Sequence, residues 1–134
     1  MRTKLAIAIG VGLLLLAAAP LWAHHAFAAE FDANKTVKLE GTVTQMEWIN
    51  PHAWIHMDVK GTDGKVVNWM VECGTPNTLF RKGLTKNSLP VGTELIVDGY
   101  QAKDGSTRAN GRDVTFRDGR KVFIGNNPDA AAEK

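Results

Sequence analysis

Through most of its length the chain alternates apolar and polar residues with a period of two, and Gly, Asp-Gly and Asn-Gly signals cut that alternation into short runs. A two-residue period places successive side chains on opposite faces of an extended backbone, so the chain must build sheet with one buried face rather than a helical bundle. The first strand is predicted from about Val37 to Trp48, with Gly41 as a bend or bulge that lets a long strand curl, and Asn50-Pro51 ends it. The second, Ala53 to Lys60, turns Ala53, Ile55, Met57 and Val59 to the core and Trp54, His56 and Asp58 away from it. Gly61 to Gly64 makes a hairpin loop into a third strand, Val66 to Cys73. There Val67, Trp69, Val71 and Cys73 share one side, and Asn68, Met70 and Glu72 the other.

Between Gly74 and Leu89 the alternation stops. Thr75 is a good N-cap, Pro76 suits the first helical position, Leu79 and Phe80 give an apolar contact, and Gly83 can end the turn, so one short helix is expected here. A fourth strand runs from Leu95 to Ala102, a polar loop follows from Lys103 to Gly111, and Asp113 to Ile124 is a hairpin turned at Asp118-Gly119. These elements predict an all-β, mainly antiparallel fold: a small five- to six-stranded barrel of the OB type with one short helix. Closure removes the exposed edges of such a sheet; a split β-sandwich is the alternative. So few strands enclose no large cavity, which sends a ligand to the outside or to a rim.

The amino terminus reads as an export signal. A basic end with Arg2 and Lys4 precedes an apolar run from Leu5 to Ala19, and Pro20 to Ala23 forms the exit. Cleavage is expected after Ala23. A second small-x-small pattern ends at Ala28, and the apolar stretch is also about the length of a membrane-spanning anchor, should it remain uncleaved. The expected organisation is therefore a signal peptide over 1–23, an amino-terminal arm over 24–36, a barrel domain over 37–125 and a disordered tail over 126–134, with a periplasmic location. Removing 23 of 134 residues leaves 111, enough for one domain. The full chain has 16 Lys and Arg against 14 Asp and Glu, and the leader takes away Arg2 and Lys4 but no acid. The mature domain is thus formally neutral, and a nucleic-acid partner, which calls for a basic surface, is not expected. Contact with a membrane is expected only through an uncleaved leader.

All four histidines fall in two clusters, His24-His25 and His52-x-x-x-His56. Cleavage after Ala23 gives His24 a free amine that can chelate a metal together with its ring Nδ1, and His25 or a barrel histidine can complete a copper or zinc site, copper being the first choice. His52 and His56 cannot easily share one ion on a strand, where residues four apart are separated by about 13 Å. The economical site joins the amino-terminal pair to one of them, with Glu30, Asp32 or Asp58 as optional oxygen ligands. Alternatively, His24 and His25 are solvated residues of the arm, and His52 and His56 pack against Trp54.

Trp48, Trp54 and Trp69 fall on adjacent strands. Trp48 and Trp69 read as core or rim residues, whereas Trp54 faces outward beside His56 and, with His52 and Asn50, forms a candidate recognition patch. The last strands mix Arg108, Arg112, Arg117, Arg120 and Lys121 with Asp104, Asp113 and Asp118, which reads as a solvated face. Cys73, the single cysteine, excludes an internal disulfide and reads as a small buried residue, with a metal ligand or an intermolecular thiol as the alternatives. No nucleophile elbow or phosphate-binding glycine loop is present, and nothing in the sequence pairs Glu30, Glu40, Glu47 and Glu72.

His24-His25-Ala26-Phe27 after the leader, Gly41-Thr42-Val43, Trp48-Ile49-Asn50-Pro51-His52, Gly74-Thr75-Pro76-Asn77 and Gly92-Thr93 resemble a family of small exported bacterial proteins catalogued as a domain of unknown function. The resemblance covers nearly the whole mature chain, and Trp-Ile-Asn-Pro-His is its most specific piece. Family members often have Gly at the position of Cys73. The resemblance implies a periplasmic β-rich domain and supplies no activity, substrate or cofactor. The leading expectation is a non-enzymatic binding or accessory module that contacts a small ligand, a metal ion or a periplasmic protein through His52, Trp54 and His56. A copper-handling protein built on the processed amino terminus is the second, and an enzyme the third.

Overall fold

The computed structural model describes residues 26–125. The leader, His24 and His25, and the tail over 126–134 lie outside the described residues. A helical turn over 26–30 (α1) leads into β1 (Phe31–Glu47), followed by β2 (Trp54–Lys60), β3 (Val66–Glu72), α2 (Pro76–Arg81), β4 (Glu94–Ala102), β5 (Arg108–Phe116) and β6 (Lys121–Phe123). The strands form one sheet in the order β3-β2-β1-β4-β5-β6, and a parallel pairing of β3 with β5 closes β1, β2, β3, β5 and β4 into a ring. The fold is thus the expected all-β barrel of the OB type. No helix among the described residues is long and apolar enough to cross a membrane.

The ring closes because β1 serves two neighbours. Its first part pairs with β4 up to Thr42, and from Gly41 onward it pairs with β2. Gly41 sits where the strand passes between them, and a Cβ there would lie 2.1 Å from the Asp58 carbonyl oxygen, so only glycine permits the approach. The bulge itself lies three residues later. Register against β2 shifts between Val43 and Gln45, leaving Thr44 as the extra residue. One extra residue swaps the faces: Leu39 and Val43 point into the barrel before it, whereas Met46 packs against the core and Gln45 and Glu47 turn outward after it.

The interior follows the alternation. Ala53, Ile55 and Met57 of the β2 region, with Val71 and Cys73, are fully buried, and Trp48 and Trp69 pack against the same cluster. Leu79, Leu84 and Leu89, all from the β3–β4 connection, supply buried side chains that no strand provides. The helix there forms as its sequence dictates: the Thr75 side chain accepts from the Thr78 N–H at 3.1 Å, Pro76 begins it, and Gly83 at φ 87° lets the chain turn away.

Two boundaries differ from expectation. β1 begins at Phe31 rather than near Val37, preceded by a second short helical turn, because Phe31 pairs with Ala102 and buries its ring although residues 32–35 do not alternate. β5 begins at Arg108, inside the stretch expected to be loop. Arg108, Ala109 and Asn110 are held in strand geometry from both sides, by parallel pairing with β3 and, for Ala109 and Asn110, antiparallel pairing with β4. Pairings so distant in sequence leave no local periodicity.

Candidate functional site

Strand register lays out two rows of outward side chains on one side of the barrel. Glu47 of β1 pairs with Trp54 of β2, Trp54 with Glu72 of β3, and Glu72 with Asn110 of β5. One step along, Gln45, His56, Met70 and Arg108 align in the same strand order. Paired positions lie close enough for side chains to interact, so each row is a continuous strip across four strands.

Glu72 and Asn110 are buried despite facing outward, at 8% and 2% exposure. The Asn110 amide donates to Glu72 Oε1 at 3.4 Å, and His52 Nδ1 lies 3.4 Å from the same oxygen. His52 comes from the β1–β2 connection, directly after the cis Asn50–Pro51 bond. Asn50 is exposed in that loop and joins none of these contacts. His56 meets a different carboxylate, Glu47 Oε1, at 3.1 Å, and Gln45 donates to that oxygen at 3.4 Å. The two histidines therefore serve separate pairs on the two sides of Trp54.

Arg108 ties this face to the start of the described chain. Its guanidinium lies 5.6 Å from the Trp54 ring and 5.9 Å from that of Phe31, and it donates to Glu30 Oε2 at 3.0 Å. Beside it, Phe27 meets Tyr100 edge-on at 5.6 Å and Phe31 at 5.8 Å. Tyr100 is the β4 partner of Asn110, so the α1 turn packs against the strand neighbour of the strip's buried end.

The oxygen groups expected near the histidines have other engagements: Glu30 with Arg108, Asp32 with the Asn34 N–H at 2.9 Å, and Asp58 with the Asn68 amide at 2.9 Å. His24 and His25 lie outside the described residues. Among the described residues no group of three or more His, Cys, Asp and Glu side chains is placed to hold a metal ion. Cys73 is a free, buried thiol, and burial together with the neighbouring charge of Glu72 pushes its pKa far above the ordinary range. It therefore stays protonated and inert inside the barrel.

Glu72, Asn110 and Arg108 were missed as site residues. The β2–β3 hairpin contained a signal for Glu72, since pairing Lys60 with Val66 across the Gly61–Gly64 loop sets Trp54 opposite Glu72. Asn110 and Arg108 had none, because they join the site only when β5 closes against β3.

A groove of about 390 Å³ lies elsewhere, lined by Glu40, Thr42, Glu94, Ile96, Phe116 and Arg117 among others, and contains none of the histidines. The basic residues of the last strands find acids: Arg112 and Lys121 both reach Asp113, Arg120 reaches Asp118, and Arg117 pairs with Glu94.

Neither a curated protein nor a solved structure matches the chain. A family model does, over residues 12–112, a span that includes both histidine clusters, Trp54, Glu72, Arg108 and Asn110. The chain belongs to that family, DUF6152, a family of unknown function.

Proposed function

We propose that the protein is an exported, non-enzymatic binding or accessory module of the periplasm, with the outward strip around His52, Trp54 and His56 as its contact surface. The observation that carries this reading is the partly exposed Trp54, flanked by two histidine–carboxylate pairs and backed by the buried Glu72–Asn110 contact. A polar network kept under cover on the outside of a barrel fixes the orientation of the side chains around it, as a recognition surface requires. Export rests on the leader pattern of residues 1–23. The packing of Phe27 against Tyr100 and Phe31 supports cleavage after Ala23, because a cut after Ala28 discards that ring.

Native mass spectrometry of protein recovered from the periplasm tests the reading. The expected result is a mature chain starting at His24 that retains a bound species, which is lost in Trp54→Ala and His52→Ala and kept in Val91→Ser, an exposed position outside the strip. A species retained equally by all variants removes the face from consideration.

One observation favours a second reading, a copper or zinc site at the processed amino terminus. Ala26 begins the described chain on the α1 turn, whose Phe27 covers Tyr100 beside Asn110, and Asn110 contacts the carboxylate that His52 approaches. His24 is two residues before Ala26, within about 7 Å of chain reach. In this reading the His24 amine and ring nitrogen chelate the ion, and His25 or His52 completes the set. Copper titration of metal-free protein checks it: affinity falls sharply in His24→Ala and in the His25→Ala, His52→Ala double variant. Equal affinity in wild type and His24→Ala removes the site.

A further inference from the structure

We propose that the Trp54 strip takes a neutral, hydroxyl-rich ring, a saccharide unit of a glycan; this rests on the binding reading and gives its ligand a chemical class. The outer face of strands 2 and 3 and the loop joining strands 1 and 2 are where OB barrels hold oligonucleotides or oligosaccharides, and the charges here separate the two. Arg108 is the one Lys or Arg in the two rows, and Glu30 already engages it at 3.0 Å. Glu47 and Glu72 flank Trp54 on its two neighbouring strands. Two carboxylates repel phosphates, and a single neutralised cation cannot provide the counterion release on which nucleic-acid affinity depends.

A cationic ligand would have to share the Trp54 ring with the Arg108 guanidinium, already 5.6 Å from the ring centroid, and is set against the saccharide in the test below. An uncharged ring stacks its C–H face on the indole without adding a second charge beside Arg108, and brings hydroxyls that both donate and accept. The neighbouring groups match that mixture: Glu47 accepts, the Gln45 amide does both, and the His56 imidazole does one or the other by tautomer. The pairing of Glu47 with His56 at 3.1 Å holds both in place beside the ring. Exchange of such polar contacts with water yields modest affinity per sugar, so an oligosaccharide lying across β2 and β3 binds better than a monosaccharide.

The experiment is calorimetric and NMR titration of the processed protein with cellohexaose, chitohexaose and maltohexaose, alongside a twelve-residue oligothymidylate and tetramethylammonium as anionic and cationic probes. The expected result is saturable binding of at least one hexasaccharide, with shifts centred on the Trp54 indole and the His56 ring. Affinity should fall at least tenfold in Trp54→Ala and recover in part in Trp54→Phe, which keeps an aromatic face, with unchanged circular dichroism in both. Binding that survives Trp54→Ala, preference for the oligothymidylate or for tetramethylammonium, or no binding of any sugar overturns the proposal. If the sugars fail while native mass spectrometry still finds a different species lost in Trp54→Ala, the saccharide falls and the binding face stands.

Discussion

The barrel has two outward faces built from the same alternation, and they have opposite characters. On the β1–β4–β5 side, Glu94 and Arg117 form an ion pair with side chains 56% and 84% exposed, at the edge of an open groove. On the β2–β3–β5 side, Glu72 and Asn110 point outward yet are as buried as the core, and His52 and Trp54 stand beside them. Polar residues on a solvated face keep their hydration and contribute little to stability, whereas covered ones depend on every partner they retain. The contrast marks the second face as the one whose side-chain positions are fixed.

The largest effect expected from this contrast is at Glu72. Glu72→Ala leaves Asn110 and His52 without that carboxylate in a covered setting and should lower unfolding free energy in urea by about 1–3 kcal/mol. A loss no greater than that of Glu94→Ala would erase the distinction between the faces. The next effect concerns Cys73, which adjoins Glu72 but points inward. Its thiol is held protonated in the fold by burial and by the charge of Glu72, and its folded pKa is raised. That contribution to stability is complete below the ordinary thiol pKa of about 8.5 and declines as pH rises above it, by at most about 1.4 kcal/mol per pH unit. Urea unfolding between pH 8 and pH 10 should therefore be steeper in pH for wild type than for Cys73→Ala; parallel profiles would show that the thiol is accessible to water.

A more local effect is expected at the cover itself. Phe27→Ala removes the ring contacts to Tyr100 and Phe31 and should speed hydrogen exchange at Asn110 more than at Thr115. Uniform acceleration would mean that α1 does not protect the strip. The smallest effect belongs to the open face, where a double-mutant cycle on Glu94 and Arg117 should give a coupling of about 0.2–1 kcal/mol that fades in high salt. A larger, salt-insensitive coupling would make the groove a second ordered site.

Much of the barrel was legible because its signals are local. The Ile55 and Met57 face, the Thr75–Pro76 helix start and the Asp118-Gly119 turn each follow from a few adjacent residues, and all three are present. Gly41 was legible as a special position but not in its mechanism: it is where β2 crowds the backbone, while the bulge falls at Thr44, whose residue type gives no hint of it. Trp54 and His56 were placed on their face by alternation alone. Their carboxylate partners were not, because register between strands is set by hairpin geometry and by the bulge rather than by composition.

The sequence by itself determined the central parts of the strands and their core faces, the capped helix and the concentration of histidine and tryptophan around residues 48–56, since each depends on residue type and spacing within one segment. Only the tertiary structure decided that Arg108, Ala109 and Asn110 are strand, that Glu72 is covered, and that the α1 turn reaches the Trp54 strip through Arg108. The physical reason is closure. The β3–β5 pairing joins residues 38 positions apart, Glu72 to Asn110, and the Glu30–Arg108 ion pair spans 78. Contacts at such separation form only when the whole ring is in place, so no window of the sequence carries them.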